Sequence, residues 1–175
     1  MVATPIIYLI RHGEKPPKLP NGEDADGLSA QGLERANALP QVFGKGSLYN
    51  IGHILAEHPK KDGNRSRPYD TVLPLSKNLG LTINDTIDRD DVDGAAKAAK
   101  VWTGPGNVLV CWEHGELAKI AEAIGVKNFA KDLNVEHPKK IKYPSDRFDI
   151  IWTVTKPYDE IVAVTSEGIK GLDDG

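Results

Sequence analysis

The chain has 175 residues, a formal net charge of −3, 39% hydrophobic and 27% charged residues, and a single cysteine. This balance fits one globular domain over residues 1–175 with a core of its own, and argues against a disulfide-stapled scaffold or a dedicated nucleic-acid binder. No apolar run approaches the ~20 residues of a membrane span, residues 1–10 lack the plan of a signal peptide, and lone Cys111 points to a reducing, cytoplasmic setting.

In chain order, Pro5 to Ile10 reads as a first, buried strand, and it delivers Arg11-His12-Gly13-Glu14. Lys15 to Gly27 is rich in Gly, Pro and Asp and reads as a loop. Ser29 can cap a helix whose apolar face is Leu33, Ala36 and Leu39, with Pro40 near its end. Ile51 to Ala56 is a second strand, and the polar run Glu57 to Ser66 another loop. Pro68 suits the first turn of a helix carrying Val72, Leu75 and Leu79; Gly80 stops it and Pro74 should kink it. Leu81 to Asn84 is a weak third strand, and Asp93 can cap a short Ala/Lys helix reaching Val101.

Val108 to Trp112 is the clearest buried strand. Beyond His114-Gly115, Leu117, Ile120, Ala121 and Ile124 form a helix face closed by Gly125. Asp149–Thr155 and Glu160–Thr165 look like a hairpin, and residues 168–175 like a loose tail. The pattern predicts a three-layer α/β/α fold whose mostly parallel sheet carries an antiparallel edge strand.

Two strands end alike, one in Arg11-His12-Gly13 and the other in Glu113-His114-Gly115. In a parallel sheet both ends lie on one edge, where open α/β folds bind ligands. Arg67 can enter the same space from the loop after the second strand, and a helix starting near Glu116 would turn unpaired N–H groups toward an anion. Arginine forks and imidazoles around a dianion are the equipment of phosphoryl transfer.

These segments resemble the histidine phosphatase superfamily, also called phosphoglycerate mutase-like. Arg11-His12-Gly13-Glu14 is similar to its signature, Leu28-Ser29-Ala30-Gln31-Gly32-Leu33-Glu34-Arg35-Ala36 to its first helix start, and Arg67-Pro68-Tyr69-Asp70-Thr71 to its second arginine motif. Val108 to Gly115 is similar to its second-histidine strand. The resemblance implies that His12 is a nucleophile forming a phosphohistidine, and that Arg11, Arg67 and His114 hold the phosphoryl oxygens beside the Gly13 and Gly115 backbone. It implies no metal or cofactor, and a small phosphorylated substrate or a phosphoprotein rather than nucleic acid or membrane.

The sequence departs from the family in its acid. Gly115 occupies the place where acid phosphatases carry an Asp after the second histidine, and Asp85, Asp88, Asp90, Asp91 and Asp93 follow the third strand with no Glu among them. Asp88 is the choice for a general acid, with Glu113 and Glu116 as alternatives. A phosphomonoesterase is the expected activity, against a mutase or a catalytically silent phosphate-binding module. Arg65 competes with Arg67 as the second ligand. His53, His58 and His137 read as structural or solvated, and Trp102, Trp112 and Trp152 as core or rim.

Overall fold

The computed structural model describes residues 4–61 and 64–174. Among them strands and helices alternate as β1 (Ile7–Arg11), α1 (Ala30–Phe43), β2 (Ile51–Ala56), α2 (Arg67–Leu79), β3 (Ile83–Asn84), α3 (Val92–Lys100), β4 (Asn107–Trp112) and α4 (His114–Ile124). The short β5 (Asn128–Phe129) and the hairpin of β6 (Ile150–Val154) and β7 (Glu160–Ser166) complete the chain. The strands form one sheet in the order β3-β2-β4-β1-β6-β7-β5. Strands β1 to β4 run parallel, β6 is antiparallel to β1 and β7, and β5 lies parallel to β7.

Side chains alternate across β1. Ile7 and Leu9 join Val108, Val110 and Trp112 in a core shared with Ala95, Ala99, Leu117, Ile120 and Ile124 of α3 and α4. Tyr8 and Ile10 join Leu109, Cys111 and Ile54 under Leu39, Phe43, Val72 and Leu75 of α1 and α2. Both sheet faces are therefore covered, which is why β1 and β4 read as continuous apolar runs. Each large aliphatic side chain buried this way contributes roughly 1.5–3 kcal/mol against exposure.

The helix ends follow local chemistry. Ser29 caps α1 by accepting the Gly32 N–H at 3.1 Å, and Gly80, in the left-handed region at φ 68°, closes α2 after Leu79. α2 runs through Pro74. The cap of α3 is Asp91, which accepts the Gly94 N–H at 3.0 Å, while the predicted Asp93 sits inside the first turn. Leu33, expected on the core face of α1, is 53% exposed. That face is Gly32, Arg35, Ala36, Leu39 and Phe43.

Arg35 is buried because it is paired on every side. It meets both carboxylate oxygens of Glu14 at 2.9 Å, Glu167 Oε1 at 2.7 Å and Asp173 Oδ1 at 2.8 Å. This cluster corrects the expectation of a loose tail at 168–175. Residues 168–174 are fastened by Asp173, by the buried Ile169 and by Leu172 packed on the α1–α2 core; residue 175 lies outside the described residues. Among the described residues no helix is long and apolar enough to cross a membrane.

Candidate active site

Parallel pairing sets Arg11 opposite Trp112 and Ala56 opposite Cys111, so β2, β4 and β1 end side by side. The residues that follow those ends are Glu57, Glu113 and His12. They are stitched together: His12 N–H donates to the Trp112 carbonyl at 3.3 Å, and Glu113 N–H donates to Glu57 Oε1 at 2.9 Å. All three line one cavity of about 260 Å³, closed by Asp24 to Gly27, Lys60, Asn64, Arg65, Arg67, Pro68 and Arg89.

His12 is 4% exposed. Its Nδ1 lies 2.8 Å from the Gly13 carbonyl, which can only accept, so Nδ1 carries the ring proton and Nε2 keeps its lone pair. Burial, helped by the nearby charges of Arg11 and Arg67, pushes the imidazole pKa down to about 3 against the opposing Gly13 bond. His12 is thus a neutral imidazole with a fixed tautomer, the state a nucleophilic histidine needs.

The loop bearing His12 is held from two sides. Gly13 N–H donates to Thr71 Oγ1 at 2.8 Å, and Thr71 Oγ1 donates to the Arg67 carbonyl at 2.7 Å. One hydroxyl therefore couples the His12 loop to the start of α2, where Arg67 stands. On the other side a Cβ on Gly32 would come within 2.4 Å of the Glu14 carbonyl oxygen, and one on Gly13 within 3.0 Å of the Gly32 carbonyl oxygen. Both glycines exist because these backbones touch.

Arg67 Nε donates to the Gly27 carbonyl at 2.8 Å, and a second guanidinium nitrogen donates to the Ala25 carbonyl, so Arg67 shapes the wall formed by the loop ahead of α1. Arg65 also lines the cavity. The stretch 128–147 contributes no lining to it; its residues border other depressions.

The remaining predicted residues lie outside that lining. Arg11 is 2% exposed, donates to the Ser145 and Arg147 carbonyls at 2.8 Å each, and lies 3.8 Å over the Phe148 ring. Burial lowers its pKa. His114 opens α4, with Nδ1 3.1 Å from Glu113 Oε1 but without hydrogen-bond alignment. Burial and the charge of Arg11 lower its pKa. Gly115 is exposed, and so is Asp88, whose carbonyl accepts the Asp91 N–H in the turn before α3.

The expected anion-binding N-terminus of α4 is already occupied. The Glu113 carboxylate accepts from Gly115 N–H and Glu116 N–H, each at 2.9 Å. Burial pushes Glu113 upward, but these two bonds and the imidazoles bring it net below the ordinary carboxylate value. Glu57 behaves oppositely. It is 2% exposed, and burial carries its pKa up to about 7 despite the Glu113 amide and the charges of Arg89 and Arg65.

Glu57 is the site residue that sequence reasoning missed. Its polar run reads as a solvated loop, and only the strand end at Ala56 hinted that it reaches the same edge as His12. Of the other aromatic groups, His53 stacks on Trp102 at 4.2 Å, and Trp112 and Trp152 are core. His58 and His137 are exposed.

No family model matches the sequence, and no curated protein matches it either. Solved structures do match in shape. The protein histidine phosphatase SixA complexed with tungstate shares 15% identity over 93% of this chain and 97% of that one, with a TM-score of 0.61. The product of the open reading frame Rv3214 from Mycobacterium tuberculosis shares 14% over 94% and 100%, with a TM-score of 0.57. The mycobacterial glucosyl-3-phosphoglycerate phosphatase Rv2419c shares 15% over 94% and 97%, with a TM-score of 0.52. The chain therefore has the histidine phosphatase, phosphoglycerate mutase-like fold.

Proposed function

We propose that this protein is a phosphatase that hydrolyses phosphomonoesters through a phosphohistidine on His12. The observation that carries the reading is a neutral, buried imidazole of fixed tautomer at the end of β1, lining a polar cavity together with Arg67. The shared fold with a protein histidine phosphatase and a glucosyl-3-phosphoglycerate phosphatase supports phosphorylated substrates, whether small metabolites or phosphoproteins.

In this reading His12 Nε2 attacks phosphorus while Gly13 O holds the proton on Nδ1 and spreads the positive charge that develops on the ring. Arg67 neutralises the phosphoryl oxygens from the cavity wall. Arg11 and His114 lie outside the lining of this cavity, and the charge of Arg11 lowers the proton affinity of both histidines. Water then displaces the phosphoryl group from nitrogen, and the protein's own groups suffice for the reaction.

The test is hydrolysis of an aryl phosphate by the wild type and by His12→Ala. The variant should lose all measurable turnover while keeping its thermal transition. An active variant, or an inactive wild type across a panel of phosphate esters, refutes the reading.

A further inference from the structure

None of the aspartates that follow β3 lines the cavity that holds His12. Asp88 is exposed and outside the cavity that His12 lines. Asp91 spends its carboxylate on capping α3, and Asp90 is tied to Arg89 at 3.0 Å. Glu113 lines the cavity, but both its oxygens accept amide protons of α4, which favours its ionised form.

We propose that Glu57, buried at the end of β2 and lining the same cavity as His12 and Arg67, is the general acid that protonates the leaving alcohol. This rests on the phosphatase reading above and deepens it, because it assigns the protein to esters of ordinary alcohols, which leave poorly as alkoxides.

The geometry separates two neighbouring carboxylates. Glu113 is fixed as an anion by the helix it caps, and that anion beside Glu57 disfavours a second charge. Among the described residues Glu57 Oε1 accepts the Glu113 amide, and the side chain is almost wholly withdrawn from solvent. The charges that act on it most are Glu113 from the β4–α4 junction, Arg65 from the loop before α2 and Arg89 from the turn before α3, and His12, Lys60, Asp24, Asp26 and Arg67 line the same cavity. Burial outweighs the two arginines and holds the pKa at about 7, so a proton is available near neutrality. A bound dianion would raise it further. Two carboxylates driven apart in pKa are the usual mark of divided roles in acid–base catalysis.

The step balances. Nε2 of His12 forms the N–P bond, the P–O ester bond breaks, and its electron pair goes to the ester oxygen, which takes the Glu57 proton and departs as alcohol. The Glu57 carboxylate then accepts a proton from the water whose oxygen attacks phosphorus. The N–P bond breaks, inorganic phosphate leaves, and His12 and Glu57 return to their starting states.

Glu57→Gln keeps an acceptor for the Glu113 amide and removes the transferable proton. Its kcat/KM should fall on the order of 10²–10⁴-fold on glycerol phosphate and less than tenfold on p-nitrophenyl phosphate, whose leaving group needs little protonation. The basic limb near pH 7 in the glycerol phosphate profile should disappear. Equal losses on both esters, or no loss on glycerol phosphate, would overturn the assignment while leaving His12 chemistry intact. A wild type inactive on both would instead overturn the phosphatase reading and this assignment with it. Should the variant not fold, the wild type itself decides across a series of phosphate esters. A shallow dependence of kcat/KM on leaving-group basicity supports a proton donor, and a steep one overturns it.

Discussion

Thr71 joins the His12 loop to α2 through one side-chain oxygen, and its replacement by Val tests that joint with little change of volume. The hydroxyl accepts the Gly13 N–H at 2.8 Å and donates to the Arg67 carbonyl at 2.7 Å, at a residue with no solvent exposure. Val leaves the Gly13 N–H buried without a partner, a cost of about 1–3 kcal/mol, and removes a second bond worth about 0.5–1.5 kcal/mol. The expected loss is roughly 2–4 kcal/mol, a large share of the 5–15 kcal/mol that holds a typical domain together. With a urea m-value of about 2 kcal/mol/M, the midpoint should drop by roughly 1–2 M. Urea unfolding followed by tryptophan fluorescence reads this directly, since Trp112 and Trp152 are buried. Thr71→Ser keeps both bonds and should lose only about 1 kcal/mol for the missing methyl. Activity should fall in the Val variant, because Gly13 also supplies the carbonyl that fixes the His12 tautomer. If Val matches Ser in stability, the hydroxyl is not the joint described and the reasoning fails.

Three further outcomes follow from the same geometry. Gly32→Ala should destabilise by more than about 1 kcal/mol, because its Cβ would lie 2.4 Å from the Glu14 carbonyl oxygen, and an unchanged thermal midpoint would contradict that contact. His12, lowered to about 3 by burial, should show no imidazole titration between pH 5 and 8 by NMR; because its folded pKa is depressed, the stability it confers is complete above 6.5 and is lost as pH falls toward 3. Glu167 is raised by burial to about 8 from 4.5, so its contribution is present below 4.5 and is lost as pH rises through 8. Glu167→Gln should flatten the decline of the urea midpoint between pH 5 and 8, and an unchanged slope would contradict the shift.

The order of elements was legible because periodicity and punctuation agree along most of the chain. Continuous apolar runs marked β1 and β4, and Gly80 and Gly125 marked helix ends where the backbone needs a residue without a side chain. What was not legible depends on contacts far apart in sequence. No local pattern marks Arg35 for burial, and it is buried because Glu14, Glu167 and Asp173 converge on it from three segments. The same convergence turns a tail of Gly, Lys and Asp into a fastened segment. Glu57 reads as the start of a solvated loop, and its burial follows from the pairing of β2 with β4, which no local pattern reveals. The motifs single out His12 and Arg67, and both line one cavity. That Thr71 ties one to the other emerges only from the hydrogen bonds.

Phosphorus must bond to His12 during turnover, and a rapid-quench experiment with a ³²P-labelled phosphate ester asks this directly. The expected result is an acid-labile, base-stable label that appears within one turnover, maps to the peptide containing His12, decays as inorganic phosphate forms, and is absent from His12→Ala. Steady hydrolysis with no label on His12 at any time, or a label that maps to another residue, would contradict it.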